Sequence, residues 1–248
     1  MHKERFGMLD GLRGFALANM IIYHTLYDIV YIFGHPMAWY QGTAGYLWQQ
    51  SICWSFILLS GFCFSMGSCP LKRGAMIFAF GCAISLITAV VMPEQQVRFG
   101  ILSLVGSSMM LTYLAEPFLK GVKPLLGLFI CFGMFLITKS VPMGGIGVGD
   151  NIVSTLPHVL YQWEWGYPLG FPSAGFFSSD YFPLLPWLFL YWTGWYGKRV
   201  VGDLSRFSWL KPTPPILGWM GKNSIWLYLV HQPVVYIILF LLNQWKIV

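Results

Sequence analysis

The chain has 248 residues, of which 10% are charged and 56% hydrophobic, with 15 Lys and Arg against 9 Asp and Glu for a formal net charge of +6. A soluble domain is about a quarter charged, so this charge content cannot keep a globular surface polar, and a soluble enzyme, a disordered chain and a nucleic-acid binder are excluded. A mean hydropathy of +0.62 with 12 Trp and 13 Tyr describes instead an all-α integral membrane protein with many membrane–water interfaces, its length suiting one transmembrane domain over residues 1–248.

A bilayer core needs about 20 mostly apolar residues per helix. Seven runs meet that requirement, at residues 8–33, 44–67, 74–92, 99–119, 124–141, 181–197 and 216–243. Pro233 predicts a kink in the last. With the N-terminus cytoplasmic, the inner ends of these runs hold Lys3, Arg5, Arg13, Lys72, Arg73, Lys120, Lys123, Lys198, Arg199, Arg206, Lys211 and Lys222. The outer side holds Arg98, Lys139 and Lys246. Basic residues concentrate on the cytoplasmic side of membrane proteins, so the bias explains the net charge without a polyanionic partner. The first run carries Asp10, Arg13, His24 and Asp28, which the apolar core of a cleavable signal peptide would not tolerate.

One long connection, 142–180, lies on the outer face and is rich in Gly, Pro, Trp and Ser. Connections of this length are usually functional. Its Gly144, Gly145, Gly147 and Gly149 do not make a nucleotide loop, which needs a strand before it and a helix after it. Trp163 and Trp165, with Tyr161 and Tyr167, suit either stacking on sugar rings or an interfacial belt. Cys53, Cys63, Cys82 and Cys131 sit in apolar runs and Cys69 in a basic turn, without metal-ligand or disulfide spacing; no metal is expected.

Ionisable groups within the membrane are costly and usually face an interior cavity. Asp10 and Arg13 lie one helical turn apart on one face and serve either as a structural ion pair or as an anion-compatible cation at the inner end. His24 and Asp28 again share a face, about 16 Å of helix rise beyond Arg13. They read either as a hydrogen-bonded packing histidine or as an imidazole whose tautomer and basicity the carboxylate sets, as proton transfer requires. His231 falls about 13 Å along its helix from Lys222. His35 precedes Pro36 just outside the first run and, by its residues alone, is a loop histidine.

The segment Leu9-Asp10-Gly11-Leu12-Arg13-Gly14-Phe15-Ala16, followed at His24, resembles the first helix of membrane acyltransferases. Phe56-Ile57-Leu58-Leu59-Ser60-Gly61-Phe62 with Lys72 and Arg73 resembles their second helix and its basic exit, and residues 218–233 their closing helix. Arg98-Phe99-Gly100-Ile101-Leu102-Ser103-Leu104-Val105-Gly106 and Ser179-Asp180-Tyr181-Phe182-Pro183-Leu184-Leu185-Pro186-Trp187 are similar to bacterial relatives of heparan-α-glucosaminide N-acetyltransferase. The resemblance covers nearly the whole chain and implies transfer of acetyl from cytosolic acetyl-CoA to an acceptor amine or hydroxyl, on an amino sugar or glycan, outside the cytosol. It implies a multi-pass enzyme of the bacterial inner membrane, and suggests a homodimer.

In the lysosomal enzyme an Asn on the first helix lies beside the thioester and a catalytic His follows eleven residues later; these positions fall on His24 and His35. In acyltransferase family 3 the catalytic His falls on His24, so the two relatives assign the base differently. His231 suits a donor to the thioester carbonyl as its oxygen gains charge. Asp180, at the outer mouth, would orient the His or bind a sugar hydroxyl. Arg13 (with Asp10 beside it), Lys72 and Arg73 suit the phosphates of the donor, and Arg98, in its own motif, joins the expected donor-binding set. Direct attack needs one base and one carbonyl donor, and no covalent intermediate. Two other functions compete. A proton-coupled small-molecule transporter would also use intramembrane His and Asp, but no repeat pair of the kind carriers are built from is evident. A non-catalytic scaffold would leave His24, Asp28 and His231 unexplained.

Overall fold

The computed structural model describes residues 6–148 and 151–244. In chain order its elements are α1 (Gly7–Tyr27), continued by a π-helical turn (Asp28–Ile32), α2 (Ala38–Gln41), α3 (Thr43–Phe62), α4 (Pro70–Val91), α5 (Ile101–Gly121) and α6 (Pro124–Thr138). A hairpin of β1 (Gly145–Val148) and β2 (Asn151–Thr155) follows, then α7 (Leu184–Val201), α8 (Pro215–Lys222) and α9 (Ser224–Gln244). Lys3, Arg5 and Lys246 of the charge pattern, and Gly149 of the glycine run, lie outside the described residues.

The protein is an all-α membrane protein. Among the described residues, five segments have both the length and the apolarity to cross a bilayer: Gly7–Ile32, Pro70–Val91, Ile101–Gly121, Pro124–Met143 and Ser224–Gln244. The expected spans at 44–67 and 181–197 fall on helices α3 and α7, of 20 and 18 residues. These two are diluted by Gln49, Gln50, Trp48 and Trp54 in α3 and by Trp187, Tyr191, Trp192, Trp195 and Tyr196 in α7. The expected single span at 216–243 is broken: Asn223 leaves helical geometry at φ −102, ψ 19, separating α8 from α9. The helix α9 continues through Pro233. Within the expected 142–180 loop, Gly145 and Gly147 belong to β1, which pairs antiparallel with β2 rather than leading into a helix.

The chain forms two compact units, residues 1–56 with 203–248, and residues 57–202. In the first, α1 packs against α8 along small residues. A Cβ at Gly14 would strike the Leu217 carbonyl, and one at Gly221 the Asp10 carbonyl. Such backbone-to-backbone approach is how helices associate without a hydrophobic driving force between them. In the second unit α4 and α5 meet in the same way, a Cβ on Gly74 falling 2.9 Å from the Gly106 carbonyl oxygen. Leu104, Phe135 and Leu190 are wholly buried there.

Candidate active site

The contact of α1 with α8 sets where α9 runs. Restarting at Ser224 after the Asn223 break, α9 lies beside α1 and the π-turn that continues it. His24 of α1 and His231 of α9 then meet with ring centroids 5.2 Å apart and planes at 64°. One residue on, Gln232 donates its Nε2 hydrogen to Asp28 Oδ1 at 2.8 Å. Asp28 opens the π-turn and is wholly buried. A π-helical turn widens the backbone by one residue and is frequent at functional sites. Two pairs of polar side chains, 204 positions apart from Asp28 to Gln232, are therefore gathered by one helix–helix contact.

The His231 Nδ1 lies 2.6 Å from the Tyr228 carbonyl oxygen. A carbonyl can only accept, so Nδ1 carries the hydrogen and neutral His231 keeps its lone pair on Nε2. That Nε2 is buried and has no hydrogen-bond partner. The same is true of Asp28 Oδ2 and Gln232 Oε1. All three are acceptors. Buried polar atoms are nearly always satisfied, so the cluster is built to receive a group that brings hydrogens with it.

The expected His24–Asp28 pair differs here. Among the described residues the carboxylate's hydrogen-bond partner is Gln232, not His24. Asp28 stands where α1 passes into the π-turn, and Gln232 reaches it from α9; the imidazole whose tautomer is set is His231, through a backbone carbonyl. Asp10 and Arg13 form the expected pair, with Arg13 Nη1 3.2 Å from Asp10 Oδ1. His35 follows the π-turn in an exposed position, its backbone N–H on the Ile29 carbonyl at 3.0 Å. Two features escaped the residue pattern. One is Gln232, whose only signal was a second amide-bearing polar residue beside His231. The other is Asn19, which accepts the Trp48 indole N–H at 3.1 Å.

The remaining expected residues belong to the second unit. Asp180 Oδ2 accepts the N–H of Ile101, the first residue of α5, at 3.2 Å. Burial pushes its carboxyl up to about 6, the Ile101 hydrogen bond opposing. Ser178 ties the same corner together, accepting the Arg98 N–H at 2.8 Å. The Arg98 guanidinium lies exposed over Phe176 at 5.9 Å. Lys72 is exposed and Arg73 half-buried in the first turn of α4.

The 142–180 segment also forms a cleft of about 800 Å³, lined among others by Tyr161, Gln162, Glu164, Ser173, Phe176 and Tyr181. The Tyr161 and Tyr181 hydroxyls are held by the carbonyls of Val141 and Tyr167, each at 2.5 Å. Their rings are thereby fixed, with carboxylate, amide and hydroxyl groups around them.

The family model described as heparan-alpha-glucosaminide N-acetyltransferase, catalytic, matches residues 5–233. No curated protein and no solved structure matches the chain.

Proposed function

Because the chain belongs to the heparan-alpha-glucosaminide N-acetyltransferase catalytic family and is a transmembrane acetyltransferase, we propose that it moves acetyl from cytosolic acetyl-CoA to a sugar amine or hydroxyl across a bacterial inner membrane. In this reading α3 and α7 also cross the bilayer, giving seven spans with a cytoplasmic N-terminus, as the distribution of basic residues favours.

The observation that carries the reading is the set of three unpartnered buried acceptors, His231 Nε2, Asp28 Oδ2 and Gln232 Oε1. An amine or hydroxyl nucleophile is a hydrogen donor and completes them. As its nitrogen or oxygen bonds to the acetyl carbon, the C–S bond breaks and the nucleophile's proton passes to His231 Nε2. The departing thiolate takes a proton in turn. Tyr228 holds the receiving tautomer, since an imidazolium formed at Nε2 keeps its Nδ1–H on the carbonyl. His24, in ring contact with His231, suits a donor to the carbonyl oxygen as charge grows there. Asp28 orients Gln232. His24 thus lies within the cluster, while His35 is assigned no step.

A glycan is the acceptor class the aromatic and polar cleft of the 142–180 segment favours. Ring faces of Tyr161, Phe176 and Tyr181 offer stacking area, and Glu164 offers a partner for a sugar ammonium.

The test uses purified full-length protein in nanodiscs, with acetyl-CoA and glucosamine. Free thiol should appear only when acceptor is present. His231→Gln should lower kcat by about 10²–10⁴, the range general-base removal gives, while His35→Gln stays within a few-fold. Proton-driven flux without CoA binding, or full activity of His231→Gln, would overturn the proposal.

A further inference from the structure

The cleft of the 142–180 segment stands at the end of a membrane-crossing run. The span Pro124–Met143 closes on Met143, and Pro142, Met143 and Gly144 all line the cleft. One wall of the cavity is therefore the end of a span, which places the cavity at the membrane–water boundary. Its polar groups suit sugar hydroxyls. Gln162 donates an amide hydrogen to His158 Nδ1 at 3.4 Å, which leaves the hydrogen of the neutral imidazole on Nε2, free to donate in turn. The Glu164 carboxylate accepts. The rings of Tyr161 and Tyr181 are held in place by their hydroxyl bonds to backbone carbonyls.

The residues that interleave with this lining along the chain are apolar and exposed. Val159 follows His158, Trp163 stands between Gln162 and Glu164, Trp165 follows Glu164, and Phe177 follows Phe176; their exposures are 66%, 58%, 67% and 55%. Met143 is itself 67% exposed. The hairpin that starts at Gly145 adds Val148, Ile152 and Val153, all exposed. A surface that meets its partner in water has an apolar centre and a polar rim. Here the polar groups lie inside and the apolar ones around them. Exposed apolar surface of this extent marks a membrane or partner contact, and Trp concentrates at the headgroup layer. Charge points the same way. Residues 140–197 contain no Lys or Arg, and Glu164 adds a negative charge to the lining. Arg98, over the Phe176 ring at 5.9 Å, supplies one cation, not the basic cluster that would draw an acidic polysaccharide from solution.

We propose that the cleft takes the saccharide head of a membrane-anchored glycolipid, neutral or amino-substituted, while its apolar rim lies among the lipid headgroups. A ligand held by its tail reaches a cleft at this level without leaving the bilayer, and only its sugar turns into the polar interior. Tyr161, Phe176 and Tyr181 stack on the ring faces, and His158, Gln162 and Glu164 pair with hydroxyl or amino groups. Trp163 and Trp165 anchor the rim in the headgroup layer. Tethering raises the effective concentration of the sugar at the cleft, so the lipid-linked form binds more tightly than the same sugar free in water. The ligand's role as acetyl acceptor rests on the acetyltransferase reading; its binding does not.

The experiment measures equilibrium binding to the full chain in phosphatidylcholine nanodiscs. The probes, compared at equal total concentration, are glucosaminyl diacylglycerol incorporated in the discs, the same diacylglycerol without its sugar, and methyl glucosaminide in solution. The proteins are wild type, a lining variant (Gln162→Leu with Glu164→Gln), a rim variant (Trp163→Ser with Trp165→Ser) and the control Trp209→Ser. All of these positions are exposed, so folding is retained. Wild type and the control should bind the glycolipid at least about tenfold more tightly than the free sugar. The lining variant should bind both sugar forms about threefold to tenfold more weakly, as loss of hydrogen bonds gives. The rim variant should lose most of the lipid-linked advantage and keep its affinity for the free sugar within about twofold. Equal affinity of wild type for the two sugar forms, an equal response to the sugar-free diacylglycerol, full binding by the lining variant or an undiminished advantage in the rim variant would overturn the proposal. Glycolipid binding with the expected pattern but no acetyl transfer from acetyl-CoA would sink the enzyme reading and leave the site standing. Acetyl transfer to methyl glucosaminide with equal affinities for both forms would do the reverse.

Discussion

Replacing Asp180 with Asn tests whether this carboxylate anchors α5. Its Oδ2 accepts the Ile101 N–H at 3.2 Å, and burial raises its carboxyl from 3.8 to about 6. The folded protein thus holds the proton more tightly than the unfolded chain does. Between those two values the native state binds more protons, so stability is greatest on the acid side and falls as pH rises through the window. A carboxyl moved from 3.8 to about 6 sets a ceiling of about 3 kcal/mol on that loss. The group is half-buried, and solvent screening reduces the effect to roughly 1–2 kcal/mol. Each kcal/mol moves Tm by about 2–4 °C in a chain of this size. Asparagine keeps an oxygen for Ile101 and never ionises. In detergent, the Tm of Asp180→Asn should converge on wild type below pH 3.8 and exceed it by about 2–8 °C at pH 7.5. Acetyl transfer at neutral pH should stay within a few-fold, because the residue positions the start of α5. Parallel Tm profiles for the two proteins, or a less stable variant at pH 7.5, would refute the reasoning.

Other perturbations probe the first unit. Gly14→Val places a branched side chain against the Leu217 carbonyl; overpacking of about 1–3 kcal/mol or more should lower Tm by several degrees, and a displaced His231 should reduce kcat. Gln232→Leu strips Asp28 Oδ1 of its hydrogen bond, which should cost about 1–3 kcal/mol for the buried acceptor left behind. Its kcat should fall further than that of Gln232→Glu assayed at acid pH, where a protonated carboxyl restores the donor. Trp48→Phe removes the indole bond to Asn19 and should cost about 1 kcal/mol, read as a Tm shift with kcat unchanged.

Much of the candidate site's geometry was legible because its cues are local. Runs of apolar residues locate spans, and a spacing of three or four puts Asp10 with Arg13 on one helical face. The same rule placed His24 and Asp28 together, yet the carboxylate turned to Gln232, because helix spacing states only what can meet. It does not state what a second helix brings closer. The break at Asn223 was hidden for a related reason: a hydropathy average does not register one residue leaving helical geometry.

Amino-acid order alone determined that this chain lives in a membrane and that polar groups interrupt its first and last helices. Those properties follow from transfer free energies and from the fixed pitch of a helix, which need no tertiary information. Only the folded molecule decided which histidine keeps a free lone pair and which buried polar atoms are left without a hydrogen-bond partner. Those outcomes depend on Gly14 and Gly221 admitting backbone contact between α1 and α8, and on Gly61 and Gly67 making room for Tyr191 and Arg73. A hydrogen bond between residues 204 positions apart, such as Gln232 to Asp28, exists only after such contacts have formed.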